Sequence, residues 1–462
     1  MSVAERESTG TELTEEGIRS LQESLGGHVI RPSDDGYDAA RSVWNAMIDR
    51  RPTLIARCAN SADVVAALAF GRERGMFISV KGGGHNVAGK AVRDGGLMID
   101  LSAMKGVRVD PVAGTARADP GVLWEEFDRE TAECGLATVG GVVGSTGIAG
   151  LTLGGGQGWL SGKYGLTIDN LLSVDVVTAD GSLLHASAEE NPELFWAMRG
   201  AGANFGVVTS FEYRLHPVST VLGGMVIHPL DRARDVLRFY REFAAGQPDE
   251  LTTYAAILTA PDGSPVVALV ACYTGSIADG EHVLAPLRGF GRPVADTVAP
   301  IPYLTMQGLI GPGFPHGRRN YWKSGLTDRL TNVAIEAIVD FGRRVPSPHA
   351  AIVVADVHGA AGRVDSAATA YGHRDLPFDL AILANWIDPA VDDVNVGWTR
   401  KLFAAVEPEL AGAVYVNDLG DDDGSERVKR AYGANYPRLA ELKRRYDPTN
   451  VFRSNQNIPP AV

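Results

Sequence analysis

A histidine that follows three glycines is the first group in this sequence whose type and position could do chemistry. The segment Lys81-Gly82-Gly83-Gly84-His85 comes directly after the apolar run 76–80, so the histidine stands at the end of a predicted strand. Glycines lack Cβ, and consecutive glycines let backbone N–H groups approach a phosphate-bearing ligand closely. The imidazole can bond a cofactor, bind a metal ion or move a proton; a structural histidine after an ordinary turn is the alternative.

A second glycine-rich stretch, residues 140–158, reads GGVVGSTGIAGLTLGGGQG and is nearly half glycine. Neither a regular helix nor a strand would keep so many glycines without another reason, and two such loops in one chain favour a bound ligand. The chain has no Gly-Lys-Ser/Thr, which disfavours a Walker-type NTPase. The G-x-G-x-x-x-G pattern at 200–206 precedes a predicted strand and opens no helix, so it indicates a turn and not a Rossmann site.

The elements that must position these loops mix helices and strands without strict alternation. Ser61 begins a predicted helix that closes at Gly75, and Asp119-Pro120 supply an N-cap and an N1 proline for a second helix that ends at Gly135. Residues 172–178 and 183–185 flank a predicted hairpin turn at 179–182. Residues 206–215 alternate apolar and polar side chains and form the predicted last strand of this first unit.

The pattern changes after residue 217. Strand candidates at 254–258, 266–272, 352–357 and 380–386 are separated by amphipathic helices, which predicts an antiparallel sheet backed by helices. We therefore expect an α+β protein with a first domain over 1–217, a second over 218–405 and a C-terminal segment, 406–462, that packs back on the first domain.

Composition excludes several classes of function. The 462 residues, 45% hydrophobic and 21% charged, suit two or three globular units. A net charge of −13, with no basic cluster beyond residues 443–445, argues against a nucleic-acid or anionic-membrane partner. Cys58, Cys134 and Cys272 form no disulfide or zinc pattern. Residues 2–27 lack the apolar core of a signal peptide, and no run of 18 apolar residues follows, so we expect a cytoplasmic protein, monomeric or homodimeric, without a metal.

Five segments together resemble one known family. They are KGGGHNVAG (81–89), the glycine stretch 140–158, KYGLTIDNLLSVDVVTADG (163–181), ELFWAMRGAGANFGVVTSFEYRL (193–215) and YDPTNVFRSNQNIPP (446–460). In this order they look like a bacterial berberine-bridge-enzyme-like oxidase of the vanillyl-alcohol-oxidase flavoprotein superfamily. The resemblance spans nearly the whole chain and implies FAD, a two-part PCMH-type FAD-binding domain with its core over about 50–217, and a separate substrate domain.

The resemblance also implies which residues hold the flavin. His85 stands where the family joins a histidine to the flavin 8α-methyl carbon, so covalent FAD is expected. Lys81 replaces the arginine that begins the family's motif, which removes its planar fork of donors. Some members add a cysteine link, but Val143 occupies that position, so a single bond is expected. The implied cofactor-binding residues are Gly82, Gly83, Gly84, His85, Asn86, Gly89, Val142, Val143, Gly144, Thr146, Gly147, Gly150, Val208, Asn455 and Asn457, although the two asparagines could instead form turns.

Thr146 lies at the family position that controls access of oxygen to the flavin. Small side chains there accompany oxidases and larger ones dehydrogenases, and threonine is close to valine in size. The resemblance therefore implies an oxidase. A threonine whose hydroxyl bonds nearby backbone in a glycine-rich turn is the alternative.

The catalytic candidates depart from the family's pattern. A Tyr-x-Asn-Tyr segment supplies the base in related enzymes, whereas this chain reads Tyr415-Val-Asn417-Asp418. Asp418 could act as a base, since the reference pKa of aspartate is about 3.9; alternatively it begins the solvated acidic loop 421–423. Gln157 replaces another tyrosine and can only orient a polar group. We further expect His358 as a base or polar anchor, and substrate contacts from strand residues over the flavin, with burial in the core as the alternative: Tyr321, Lys323 and Trp386.

The sequence thus predicts a covalent-FAD oxidase that oxidises a small alcohol, amine or natural-product intermediate and passes electrons to O2, giving H2O2. The two missing tyrosines favour secondary metabolism over sugar oxidation. Three alternatives stay open: a flavin dehydrogenase that excludes O2, a catalytically silent protein that binds flavin or a related ligand, and a glycine-rich globular protein without flavin.

Overall fold

The computed structural model describes residues 13–462, so the first twelve residues of the polar N-terminal segment lie outside the described part. Two sheets and a short strand pair form the first part of the chain, from these strands: β1 (His28–Ile30), β2 (Leu54–Arg57), β3 (Ile78–Lys81), β4 (Leu97–Asp100), β5 (Val107–Asp110), β6 (Thr115–Ala118), β7 (Leu136–Ala137), β8 (Leu171–Val177), β9 (Leu183–Ser187), β10 (Val207–Arg214) and β11 (His216–Pro217). The four-stranded sheet has the order β1-β2-β4-β3, and the five-stranded sheet the order β5-β6-β10-β8-β9.

Parallel and antiparallel pairing separate these two sheets. Strands β2 and β3 both run parallel to β4, whereas every pair in the five-stranded sheet is antiparallel. The predicted hairpin is confirmed, because β8 and β9 pair through a turn in which Gly181 has φ +91°. Most of the predicted strand 206–215 forms β10 (Val207–Arg214), which lies at the centre of its sheet.

The helices are α1 (Glu15–Ser24), α2 (Tyr37–Arg41), α3 (Ser61–Glu73), α4 (Trp124–Ala132), α5 (Ile148–Leu153), α6 (Ser161–Tyr164), α7 (Pro192–Ala201), α8 (Ala233–Ala244), α9 (Ile277–Gly289), α10 (Tyr303–Gln307), α11 (Asn332–Gly342), α12 (Ala360–Arg363), α13 (Asp392–Val406), α14 (Ser425–Tyr432) and α15 (Tyr436–Tyr446). None of these helices, which cover only the described residues, is long and apolar enough to cross a bilayer.

The predicted start of the second helix is wrong by several residues. Helix α4 begins at Trp124, after a capping interaction in which Leu123 N–H donates to the Glu126 carboxylate at 2.7 Å. The preceding residues cannot join the helix, because Leu123 bridges to Gly147 and the Val122 carbonyl accepts from Ile148 N–H. Asp119 instead joins the two ends of the β5–β6 hairpin, because its carboxylate accepts from Gly106 N–H.

The second part of the chain is an eight-stranded antiparallel sheet. Its strands are β12 (Thr220–Pro229), β13 (Leu251–Thr259), β14 (Pro265–Tyr273), β15 (Ala295–Asp296), β16 (Ala299–Pro302), β17 (Arg319–Thr327), β18 (Ala351–Asp356) and β19 (Phe378–Trp386). The order is β15-β12-β14-β13-β18-β19-β17, and β16 pairs with β12. Side chains alternate between the two faces, as strand geometry requires. One face packs on α8, α11 and α13, so the predicted α+β fold, with an antiparallel sheet backed by helices, is confirmed.

The C-terminal segment lies against the five-stranded sheet and α7. Leu439, Leu442 and Ile458 share a core with residues of β8 and β10. The Lys443 ammonium is buried and donates to the Asp447 carboxylate at 2.6 Å and to the carbonyls of Asn204 and Phe452 at 2.7 and 2.9 Å. Three acceptors compensate the desolvation of this cation and fix the tail beside the glycine loops.

Candidate functional site

The two glycine loops meet backbone to backbone. A Cβ on Gly83 would lie 2.5 Å from the Gly147 nitrogen, and a Cβ on Gly147 would lie 2.5 Å from the Gly83 nitrogen. No side chain fits at either position, which explains why glycine is needed in both loops. The contact holds the end of β3 against the segment that leads into α5, and both loops border one cavity.

That cavity has a volume of about 820 Å³ and lies between the glycine loops and the eight-stranded sheet. The sheet contributes the face that is not covered by helices, with alternate residues of β12, β13, β14, β18 and β19. Residues 415–418 and 454–456 of the C-terminal segment complete the wall. A cavity of this size between two structural units is a usual setting for a cofactor and its substrate.

His85 lines this cavity as a neutral, partly exposed imidazole. Its ring stacks on Trp44 with centroids 4.3 Å apart and an interplanar angle of 18°, and His316 stands edge-on at 6.2 Å. Burial, reinforced by His316, lowers the pKa of His85 to about 3. The Nε2 atom is buried and has no hydrogen-bond partner among the described residues, which is costly unless another group takes it up.

Most of the predicted cofactor-binding residues reach the cavity wall. They are Gly82, Gly83, Gly84, His85, Asn86, Val142, Val143, Thr146, Gly147, Gly150 and Asn455. The Asn455 amide donates to the Ala203 carbonyl at 2.6 Å, while its Oδ1 is buried and unpartnered within the described structure. The Thr146 backbone carbonyl accepts from Trp124 N–H, and its side chain borders the cavity.

Four predicted cofactor-binding residues are not part of the wall. Gly89 forms a turn packed on Ile48, where a Cβ would lie 2.5 Å from a side-chain carbon. Gly144 faces Glu125 and a smaller cavity of about 350 Å³. Val208 points into the core of the five-stranded sheet, and Asn457 follows the tail residues that do line the cavity.

Lys81 does not place its charge in the cavity either. Its ammonium donates to the Ala40 carbonyl at 2.7 Å. Burial lowers its pKa, against the pull of the Asp100 carboxylate. The side chain therefore ties β3 to α2.

Asp379, which is buried, and Asp418, which is partly exposed, both line the cavity and influence each other's ionisation. Burial raises the pKa of Asp418 to about 6, although the nearby Ser324 hydroxyl opposes the shift. Burial and the nearby charge of Asp418 raise the pKa of Asp379 well above its usual range, against a hydrogen bond from Gln157. The Gln157 amide donates to Asp379 Oδ2 at 3.2 Å. Because the charge of Asp418 disfavours ionisation of Asp379, Asp418 loses its proton at the lower pH.

The alternative that Asp418 belongs to a solvated acidic face does not hold. Asp418 lines the interior cavity, and the acidic loop itself is ion-paired. Asp421 binds Arg50 and Lys90, and Asp422 and Asp423 both bind Lys323.

Tyr415 anchors the segment that carries Asp418. Its hydroxyl oxygen accepts from Gly156 N–H at 2.8 Å and from the Asn417 amide at 2.7 Å. Burial raises its pKa despite both hydrogen bonds. The phenol is therefore a poor base here, and its contacts fix residues 415–418 against the second glycine loop.

The three predicted substrate contacts lie on the wrong face of the sheet. The hydroxyl of Tyr321 donates to Asp422, the ammonium of Lys323 binds Asp422 and Asp423, and the indole of Trp386 donates to Asp392. On β17 and β19 the cavity is faced by the alternate residues of each strand, which include Trp322 and Asp379. A shift of one residue along a strand moves a side chain to the opposite face.

His358 also lies away from the cavity wall. Its Nδ1 is 3.1 Å from the Gln247 amide, and its Nε2 is 3.3 Å from the Pro248 carbonyl. Burial lowers its pKa. The ring packs beside Gly162 and so contributes to the contact between α6 and the large sheet.

Sequence reasoning missed Asp379 and Tyr371. Tyr371 is buried against Tyr415, with ring centroids 6.1 Å apart, and lies near Gln157. The strand prediction began at residue 380, one residue after Asp379. An aspartate at the start of an otherwise apolar strand is a usable signal, because buried carboxyls are rare without a partner or a task.

The cavity has the features that a flavin dinucleotide needs. Side-chain-free backbone at Gly83 and Gly147, the unpartnered Nε2 of His85 and the unpartnered Oδ1 of Asn455 all border or face it. Within residues 13–462 no group of three His, Cys, Asp or Glu side chains could hold a metal ion.

Comparison with known families identifies two matching segments. Residues 52–187 match the FAD binding domain model, and residues 414–459 match the model described as berberine and berberine like. The first segment contains both glycine loops, and the second contains Tyr415, Asp418 and Asn455.

Similar proteins extend over nearly the whole chain. An FAD-linked oxidoreductase of Dictyostelium discoideum is 33% identical, covering 96% of this chain and 97% of its own. The (R)-6-hydroxynicotine oxidase of Paenarthrobacter nicotinovorans is 33% identical, with 95% and 97% covered. The crystal structure of 6-hydroxy-D-nicotine oxidase from Arthrobacter nicotinovorans has a TM-score of 0.85 at 32% identity, covering 95% and 99%. A chitooligosaccharide oxidase has a TM-score of 0.86 at 26% identity, covering 96% and 100%.

Proposed function

The chain belongs to the berberine-bridge-enzyme-like family of FAD-linked oxidoreductases, and on this premise we propose that it is an oxidase whose FAD is covalently attached through His85. It oxidises a small organic alcohol, amine or natural-product intermediate with O2 as the acceptor. The single observation that carries the proposal is the buried, unpartnered Nε2 atom of His85, which ends a glycine loop at a cavity wall shared with Asp379 and Asp418.

The chemical state of His85 supports the tether. A pKa of about 3 keeps the imidazole neutral at physiological pH, so a ring nitrogen retains the lone pair that a covalent bond requires. Stacking on Trp44 fixes the plane of the ring before any bond forms. Val143 cannot supply a thioether, so a single covalent link is proposed.

Bound FAD would supply the redox chemistry by accepting a hydride from a substrate C–H and passing the electrons to O2. The residues of this chain must place that C–H and remove the O–H or N–H proton. Asp418 is the proposed base: it is ionised above a pH of about 6 and borders the cavity. Asp379 retains its proton, and Gln157 orients it beside Asp418. Tyr415 holds the segment in place through Gly156.

Two relatives suggest substrate classes to try first. One acts on 6-hydroxynicotine, an amine, and one neighbour in structure is a chitooligosaccharide oxidase. The carboxyl pair can accept a proton from an amine or an alcohol, so both classes belong in a screen. We propose that the enzyme acts on a small molecule in the cytoplasm as a monomer or homodimer, without a nucleic-acid or membrane partner, in keeping with its acidic charge and free cysteines.

A flavin dehydrogenase is the second candidate function, and substitution of Thr146 tests which of the two is correct. Its side chain borders the cavity between the two glycine loops, where added bulk would hinder O2. The test is stopped-flow mixing: anaerobic reduction by a screened substrate, followed by reoxidation in air with H2O2 detection. In an oxidase, the reduced flavin is reoxidised rapidly. Thr146→Leu should slow this reoxidation at least about tenfold, whereas Thr146→Ser, with a smaller side chain, should not. Slow reoxidation of the wild type would instead support the dehydrogenase.

A further inference from the structure

Two consecutive residues, Trp44 and Asn45, connect the first glycine loop to the second part of the chain. They lie in the coil between α2 and β2, and both side chains are buried. Trp44 N–H donates to the Gly84 carbonyl at 3.0 Å, and the Asn45 amide donates to the Val87 carbonyl at 2.7 Å. These bonds attach the two residues to the glycine loop and to the chain that follows it. We call Trp44 and Asn45 the strap.

The second part of the chain holds the strap through segment 314–320. Asn45 exchanges two hydrogen bonds with Asn320: its amide donates to the Asn320 carbonyl and its Oδ1 accepts from Asn320 N–H, both at 2.9 Å. The indole N–H of Trp44 donates to the Phe314 carbonyl at 2.9 Å. Removing one partner of a buried hydrogen bond leaves the other group unsatisfied, which costs free energy. The strap is therefore fixed from both sides.

Trp44 can act on the cavity only through His85. Its side chain has no exposed surface and does not line the cavity, whereas His85 does. The two rings stack with centroids 4.3 Å apart and an interplanar angle of 18°. Because the indole is bonded to Phe314, segment 314–320 sets the plane on which the imidazole rests. His316, from the same segment, contacts the His85 ring edge-on, with centroids 6.2 Å apart.

Covalent attachment of FAD makes the orientation of His85 critical. One bond forms between a ring nitrogen of His85 and the flavin 8α carbon, while one C–H bond of that methyl group and the imidazole N–H bond break. The two electrons and two protons released pass to the flavin, which is reduced and is then reoxidised by O2 to give H2O2. The nitrogen lone pair must point at one carbon atom, so a small change in ring orientation lowers the rate steeply.

We infer that Trp44 is the positioning residue for covalent attachment of FAD to His85, and that the strap makes attachment depend on the packing of segment 314–320 against the first glycine loop. The inference rests on the proposed function for the tether itself. It goes beyond that function because it separates the binding of FAD, which the glycine loops provide, from its attachment, which also needs the second part of the chain.

The test is the rate at which full-length protein from a riboflavin-starved host attaches added FAD in air. Samples are quenched in acid at intervals, and the flavin retained in the pellet is measured by fluorescence. Trp44→Met should slow attachment at saturating FAD at least about tenfold, because methionine fills space but holds no ring plane. Trp44→Phe keeps a flat ring and should stay within about threefold of the wild type. Equal rates in the wild type and Trp44→Met would overturn the inference.

Two controls separate positioning from a structural role of Trp44. In a His85→Ala background, Trp44→Met should leave the Kd for FAD within about threefold, since Trp44 does not reach the cavity. Trp386→Met is the matched variant: Trp386 is also fully buried, and its indole donates to Asp392 at 2.8 Å. It should attach FAD at the wild-type rate. A large rise in the Kd, or equal slowing in Trp386→Met, would contradict a positioning role.

A second variant and the wild type itself complete the test. If Trp44→Met is not recovered folded, Asn45→Ala takes its place, because it removes the bonds to Val87 and Asn320 and keeps the indole. Its attachment should slow about threefold, and an unchanged rate would contradict the strap. A wild-type protein that binds FAD but never attaches it would contradict the proposed tether. Attachment at one rate in the wild type and every strap variant would contradict the strap alone.

Discussion

Asp418 and Asp379 are neighbouring carboxyl groups that lose their protons at different pH values. Both are removed from bulk water, and burial raises the pKa of each. Because two like charges in one apolar site repel, the pair loses its first proton from Asp418 and its second only at higher pH. Under the proposed function, this arrangement would give a base that is active near neutral pH without the activation that a tyrosine needs.

Asp418→Asn should slow anaerobic flavin reduction by about 10²–10⁴. In the wild type, the reduction rate should rise with pH through about 6 as Asp418 loses its proton, and the variant should lack this limb. Stopped-flow absorbance over a series of pH values measures both effects. Asp35→Asn, an exposed loop substitution, should change neither. An unchanged rate in Asp418→Asn would assign the proton transfer to another group.

Site residues could be predicted from the sequence where a local motif contains them. The prediction failed where the face of a strand decides which side chains reach the cavity. The loop 81–85 and the stretch 140–158 indicated His85, Thr146 and the glycine contacts before any fold was known. Tyr321, Lys323 and Trp386 were placed in the cavity, but their strands present the alternate residues. The pairing of Asp379 with Asp418 joins positions far apart in sequence, so no local pattern could show it.

At the scale of elements, ion pairs hold the acidic loop 421–423 in place, and this loop in turn holds the segment 415–418 that carries Asp418. We call this loop the clasp. Asp421 binds Arg50 and Lys90 from the first part of the chain, and Asp422 binds Lys323 and Arg400 from the second. Burial alone would raise the pKa of Asp422. Hydrogen bonds from Tyr321, Lys323 and Arg400 nevertheless hold this pKa well below its usual range. The loop follows Asp418 by only three residues, so its position fixes that of the base.

Asp423→Asn should destabilise the protein by about 3 kcal/mol, because the side chain is 3% exposed and pairs with both Lys323 and Arg427. It should also slow flavin reduction, since the freed loop no longer holds Asp418. Chemical denaturation measures the first effect and stopped-flow reduction the second. Asp328→Asn, an exposed residue after β17, serves as the control. Full stability in Asp423→Asn would show that the clasp contributes nothing.

The fold class could be predicted because the apolar patterns of strands, with a period of two residues, and of helices, with a period of 3.6 residues, are local. The hairpin turn at 179–182 and the antiparallel sheet were predicted from these patterns. The start of α4 could not, because the contact of Leu123 with Gly147 competes with the capping signal of Asp119-Pro120. Such tertiary contacts override local preference.

At the scale of the whole molecule, Asp128 links the two parts of the chain and makes stability depend on pH. The Gln307 amide of α10 donates to Asp128 Oδ2 of α4 at 2.8 Å, in a fully buried contact. Burial raises the pKa of Asp128 to about 7, against this hydrogen bond. The unfolded chain releases the same proton near a pH of about 3.9. Between these values the unfolded state gains from ionisation and the folded state does not, so stability falls as pH rises from about 4 to about 7.

Asp128→Asn should remove this loss, because an asparagine oxygen can still accept from Gln307 and cannot ionise. The melting temperature of the variant should therefore exceed that of the wild type by a few degrees at pH 8, with the difference growing from pH 4 to pH 7 and then constant. Thermal denaturation at five pH values measures it. A difference that is independent of pH would mean that Asp128 ionises normally in the folded protein.

The visible spectrum of the purified protein before and after acid precipitation tests whether FAD is covalently attached to His85. We expect a yellow wild-type protein whose colour stays in the pellet, and a His85→Ala variant whose flavin passes into the supernatant. His349→Ala, which removes another histidine of the same cavity, should behave like the wild type. Flavin released by acid from the wild type, or retained covalently in His85→Ala, would contradict the assignment of His85 as the attachment site.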